Sequence, residues 1–210
     1  MTSPPVSAPL PATEPRPVAV LLDVPVAETV PPPLLALLGE RHAIRLLRVF
    51  ARRTLRAIEH ERMLPQVWYT PADAGREMVR WLGPHVLMTP RPPGSIGVAI
   101  PYIAQEATGK KWWLLVRPVG VGVPASVIAE ARDALESDHI VFGATEYGSL
   151  YLLGGPASFA PMAASLPWGH SSPAVALREH LGQGTQRFTE VRCLGELLTE
   201  ADLRHADLLT

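Results

Sequence analysis

The sequence has almost no cysteine: Cys193 stands alone among 210 residues. One thiol excludes an internal disulfide framework and any cysteine-rich metal centre. No apolar run approaches the roughly 18 residues that cross a bilayer. Residues 1–17 lack both the basic and the apolar segment of a signal peptide. A cytoplasmic protein without membrane contact is the resulting expectation. Nor is there an Asp-x-Asp pair of the kind that gathers a hard cation. The histidines at 42, 60, 85, 139, 170, 180 and 205 show no zinc-ligand spacing, so neither a metal nor a cofactor is expected. A Gly-x-Ser-x-Gly elbow is missing too, which removes the nucleophile of an α/β-hydrolase. Finally, neither sign of charge dominates, with 19 basic against 20 acidic residues. That balance gives no electrostatic footprint for nucleic acid or an anionic membrane.

Charge is scarce as well as balanced. Charged residues make up 19% of the chain, against roughly 25% in an ordinary soluble domain. Much of the gap is filled by 23 prolines. A surface this poor in charge fits a weakly charged monomer equally with one that meets a protein partner or another copy of itself.

Residues 1–17, rich in Pro, Ser, Ala and Thr, read as a flexible tail, leaving 18–210 as a single domain. The run from Val18 to Asp23 is continuously apolar until its last residue, as a strand covered on both faces requires. After a proline-rich loop, Ile44, Leu47, Phe50, Ala51, Leu55 and Ile58 recur at helical spacing, predicting a long helix over 34–61. The alternation continues. Strands are predicted at 66–69, 86–89, 112–116, 139–144, 150–153 and 188–191, and helices over 70–82, 95–108, 124–136, 172–181 and 199–207. Strands alternating with helices imply an α/β fold, a mostly parallel sheet between two helix layers.

Few segments carry chemistry. Gly120-Val-Gly122-Val-Pro-Ala125 matches a dinucleotide fingerprint, although a purely structural glycine turn explains it better. Glu146 sits in a polar turn between two predicted strands, where it either takes ligand hydroxyls or is simply solvated. Trp168 stacks on a sugar or base, or else packs in the core. His170, two residues on, has the pKa range of a general base. Cys193 reads as a small buried hydrophobe rather than a catalytic thiol.

Taken in order, these segments resemble the bacterial DUF2064 family of GT-A-like glycosyltransferase-like proteins, some linked to arsenosugar biosynthesis. The resemblance runs from about Val18 to Leu208 and rests on order and spacing. The family loop A-K-x-P-x-P-G-x-V-K-T-R-L-x-P-x-L-G has its counterpart in Leu22 to Gly39, with Pro25, Val30, Leu34 and Gly39 in register. Val67 to Asp73 is similar to the second family strand, and Gly94-Ser-Ile-Gly97 stands at its G-x-L-G turn. Leu115 to Pro124 resembles I-G-x-D-C-P-x-L-P, Gly143 to Gly154 resembles G-P-A-x-D-G-G-Y-Y-L-I-G, and Pro167-Trp168 its P-W-S-T element.

The resemblance implies a nucleotide-diphospho-sugar transferase fold, and the departures from it are informative. The basic triplet K-T-R, which would meet the diphosphate, is Pro31, Pro32 and Pro33 here, and the lysine upstream is Asp23. The aspartate of D-C-P falls on Val119, and the acid of D-G-G falls on Tyr147, beside Glu146. A transferase of this kind neutralises its departing diphosphate with a metal or fixed cations. The expectation is therefore a non-catalytic domain that acts by binding a protein or a residual ligand. The alternative is an active sugar or nucleotidyl transferase with a rebuilt site that binds a nucleotide sugar. Glu146 and His170 would then be catalytic, with Trp168, Tyr147, Arg91, Arg117 and Gly97 holding ligand.

Overall fold

The computed structural model describes residues 16–107, 109–169 and 172–205. Most of the segment read as a tail, residues 1–15, lies outside these. Arg16 and Pro17 are part of the fold. The Arg16 guanidinium lies 5.0 Å from the centre of the Trp112 ring and pairs with Glu136, and Pro17 opens the first strand.

In chain order the described elements are β1 (Pro17–Asp23), α1 (Pro32–His60), β2 (Leu64–Thr70), α2 (Gly75–Leu82), β3 (Leu87–Pro90), α3 (Ile96–Glu106), β4 (Trp113–Val116), α4 (Ala125–Glu136), β5 (Ile140–Thr145), β6 (Leu150–Gly155), α5 (Ala160–Ser165), α6 (Pro173–Gln183), β7 (Phe188–Leu194) and α7 (Glu200–His205). The seven strands form one sheet in the order β3-β2-β1-β4-β6-β5-β7. All neighbours run parallel except β6, which is antiparallel to both β4 and β5.

Side chains alternate across the sheet as the pleat demands. Val18, Val20 and Leu22 of β1 face α1, α2 and α4, whereas Ala19 and Leu21 face α3, α5 and α6. The apolar runs of β1 and β4 are buried on both sides, which is why they show no polar alternation. A third, smaller cluster joins the first half of α1 to the end of the chain through Leu34, Phe50, Leu197 and Leu203. The fold is therefore the expected three-layer α/β arrangement.

Two local features differ from the sequence reading. Helix α1 is broken at Gly39, whose φ of 69° is a left-handed conformation that glycine adopts without strain. Helix α5 was not anticipated: it is short, and its composition of Ala, Pro, Met and Ser carries no helical pattern of polar and apolar residues.

One buried hydrogen-bond pair holds the β4–α4 connection onto α1. The fully buried Thr54 hydroxyl accepts the Val123 N–H at 3.0 Å and donates to the Phe50 carbonyl at 3.4 Å. Replacing Thr54 with Val keeps the shape and orphans that buried N–H. Thr54→Val should lower the unfolding free energy by about 1–3 kcal/mol in a denaturant titration; an unchanged midpoint would mean the contact contributes nothing.

Candidate functional site

The sheet topology decides where a ligand crevice opens. From β1 the chain builds β2 and β3 on one side, then crosses to β4 on the other, so the β1–β4 seam is the switch point where open α/β sheets bind ligands. β1 pairs with β4 only at Ala19 with Leu115 and Val20 with Val116. Leu21, Leu22 and Asp23 run on past the end of β4 and floor a cleft of about 260 Å³. Its walls include Pro25 and Pro31, Phe50 of α1, Trp81 of α2, Arg117 to Gly120 after β4, and Glu196 to Leu198 after β7. A second cleft of about 350 Å³ shares Gly120, Glu196 and Leu197 with the first and adds Val121, Glu146, Gly195, Ala201 and Asp202.

Among the described residues that line the first cleft, Arg117 is the one cation, and the carboxylates of Glu196 and Asp23 act on it through space. Burial pushes its guanidinium below the ordinary value, Glu196 and Asp23 pull it back up, and Arg91 adds to the lowering. The group stays charged, as arginine does in proteins. It donates to the Leu150 carbonyl at 3.3 Å. Arg91, largely buried, donates to Asp23 at 3.3 Å, and the Thr145 hydroxyl donates to Glu196. Asp23 stands exposed at the mouth of the crevice.

Helix α1 also starts at this cleft, and a helix start ordinarily offers free N–H groups to an anion. Here Pro32 and Pro33 have none. The next two, on Leu34 and Leu35, donate to the Pro31 carbonyl at 3.0 and 3.1 Å. Val119 presents an apolar side chain to the same cleft. Among the described residues, no three His, Cys, Asp or Glu side chains converge to hold a metal ion.

The second cleft is acidic. Glu146 is exposed at its mouth, and Asp202 belongs to a reciprocal cap at the start of α7. Asp202 accepts the backbone N–H groups of Thr199 at 2.7 Å and Leu198 at 2.9 Å, while its own N–H donates to the Thr199 hydroxyl at 3.2 Å. Tyr147 does not line either cleft; its hydroxyl braces Asp202 at 3.1 Å. Cys193 lies exposed on β7 rather than in the core. Partial desolvation, then Glu146 and Glu190, push its thiol up, which disfavours the reactive thiolate.

The remaining expected site residues are placed elsewhere. Trp168 is buried between α3 and α5, with its indole N–H donated to the Ala163 carbonyl at 2.9 Å. Gly97 touches the same indole: a Cβ there would stand 2.8 Å from it and 2.5 Å from the Ala164 carbonyl. Both residues serve helix packing. His170 lies outside the described residues. At the dinucleotide-like turn, a Cβ on Gly120 would lie 2.5 Å from the Gly195 carbonyl, and one on Gly122 would lie 2.9 Å from the Phe50 carbonyl. The N–H groups of Gly122 and Val123 are already bonded to Val119 and Thr54. Close packing accounts for these glycines, and those two amides face no phosphate. Glu196 and Asp202 were not singled out from the sequence. Glu196 sits on a loop without periodicity and Asp202 in the short helix α7, and the packing of Leu197 and Leu203 against α1 brings them to the crevice.

Neither a family model nor a curated protein matches the sequence. Solved structures do share the fold. A candidate nucleotide-diphospho-sugar transferase from Desulfovibrio desulfuricans G20 superposes with a TM-score of 0.80 at 20% identity, over 90% of this chain and 84% of the other. A nucleotidyl transferase from Methanothermobacter thermautotrophicus gives 0.59 at 13% identity, over 92% and 97%. The 4-diphosphocytidyl-2C-methyl-D-erythritol synthase of Anaerococcus prevotii DSM 20548 gives 0.57 at 8% identity, over 92% and 97%. The chain has the nucleotide-diphospho-sugar transferase-like fold. Among the described residues, no helix is long and apolar enough to cross a membrane.

The Asp202 cap has a signature in pH. Desolvation raises this carboxyl, but the Thr199 hydroxyl, the Thr199 and Leu198 amides and the Tyr147 hydroxyl outweigh it, leaving it below its ordinary 3.8. A depressed carboxylate stabilises the fold above its unfolded pKa, and this is lost as pH falls through the lower folded value. Asp202→Ala should therefore cost at most about 1 kcal/mol at pH 7 and progressively less below pH 3.8, read by denaturation at each pH.

Proposed function

We propose that the chain is a divergent relative of the DUF2064 family, a nucleotide-diphospho-sugar transferase-like domain that has given up group transfer and acts by binding. One observation carries this reading: the cleft at the β1–β4 seam offers a diphosphate a single lining cation, set in the field of two carboxylates, and no helix-start amide. Arg117 lies near Glu196 and Asp23 and donates to the Leu150 carbonyl, and the start of α1 has no spare amide in its first four residues. Arg91 pairs with Asp23, so the two cations and two carboxylates at this opening balance. With neither a metal cluster among the described residues nor a cationic loop, the cleft gives a diphosphate no net attraction. The cleft itself persists, so a residual ligand or a protein segment of neutral or cationic character is the better-matched occupant.

The second reading, an active transferase with a rebuilt site, draws on Arg117 in the first cleft and Glu146 in the second. Arg117 would meet the donor phosphates and Glu146 a sugar hydroxyl.

Thermal unfolding with UDP-, GDP-, dTDP- and CDP-sugars, each with and without manganese, separates the two. A ligand at about five times its Kd stabilises by about 1 kcal/mol, which moves the Tm by about 2–4 °C in a chain of this size. The binding-only reading expects no such shift at millimolar ligand. A shift that disappears in Arg117→Met and Glu146→Ala would establish the transferase reading instead.

A further inference from the structure

Between Pro92 and Gln105, and again between Tyr147 and Leu177, the sequence holds no Asp, Glu, Lys or Arg. Charged residues make up 19% of the chain, so stretches of this length would ordinarily carry several. The fold places these two segments side by side. Helix α3 from the first lies directly against α5 from the second, because Gly97 lets the α3 backbone approach the Ala164 carbonyl. The outer face of the pair presents Val98 (44% exposed), Pro101, Tyr102 (51% exposed) and Gln105 from α3, with Pro161 and Ser165 from α5.

A helix face bathed only in water normally carries charge. Here the one charged residue of α3 is the exposed Glu106 at its last position, and the rest of the face exposes an aromatic ring, an aliphatic side chain and two prolines. Loss of charge with exposed aromatic surface marks the centre of protein interfaces.

We propose that the α3–α5 face joins two copies of this chain in a two-fold dimer. The argument for a second copy is one of charge matching. A two-fold contact sets a patch against itself, and an uncharged patch does so without opposing like charges. A charged partner would have to bury its ions against a surface that holds no counter-charge. The face is small: α3 is ~16 Å long, with α5 about one helix spacing, ~10 Å, away. That falls short of a standard interface, so the dimer is weak and concentration-dependent.

Sedimentation equilibrium of the full chain, from low micromolar to sub-millimolar, tests this. The mass is expected to rise from 22.8 kDa towards twice that value. Tyr102→Glu and, separately, Gln105→Lys place a charge on the face and should each weaken association at least about tenfold, with circular dichroism and Tm unchanged. Gln105 is exposed, so its variant reports even where Tyr102→Glu perturbs folding. A wild-type chain that stays monomeric throughout overturns the proposal. So does a dimer indifferent to both substitutions, which would use another face. Co-sedimentation of a monomeric chain with neutral phosphatidylcholine vesicles would overturn it in favour of a bilayer.

Discussion

The crevice of this protein exists because β1 outruns β4. Two residue pairs hold the strands together, and beyond Val20 the end of β1 has no β4 neighbour. Backbone and side chains there must be covered by something other than sheet. The protein meets that demand from far away in sequence: the β4–α4 turn, anchored on Thr54, and the β7–α7 loop, anchored through Leu197 on Phe50 and Leu203. Those two loops bring Arg117, Val119 and Glu196 to the same opening. What the site can do chemically is set by how this gap is filled, and the sheet beneath only fixes its position.

The split between frame and chemistry follows from the same geometry. Frame residues answer to packing. Gly97, Gly120 and Gly122 each stand where an added Cβ would come within 3.0 Å of a backbone oxygen, so substitution there disturbs the fold. Exposed cleft residues such as Asp23 have no such packing constraint. A fold retained at a TM-score of 0.80 with 20% identity is compatible with that division, and fold alone does not set the activity.

The layers and the succession of strands and helices were legible in sequence to the extent that burial writes a pattern. The runs of β1 and β4 are apolar because both faces are covered, and the stripe of α1 shows its helical period from Ile44 to Ile58. Helix α5 wrote no such pattern, since Ala160 to Ser165 offers no polar side to contrast with its buried one. Arg117 was legible because it follows a recognisable strand. Glu196 was not: its role arises from the docking of α7, a tertiary event without local periodicity. Trp168 shows the opposite error. Its composition suits a stacking platform, but the indole N–H is bonded to Ala163 and its ring fills the space beside Gly97.

The two surfaces most distinctive of this chain lie in different places. The cleft is walled by α1 and α2 on one side of the sheet and by the loops that close over the strand ends. The charge-free face belongs to α3 and α5, on the other side. Occupying one therefore leaves the other open, and a dimer through α3 and α5 would present two clefts outward. Charge divides the same way, with carboxylates gathered at the second cleft and Glu106 alone, at the end of α3, beside the helical face. Displayed twice on the proposed dimer, the cleft would gain avidity for a multivalent partner without any new contact.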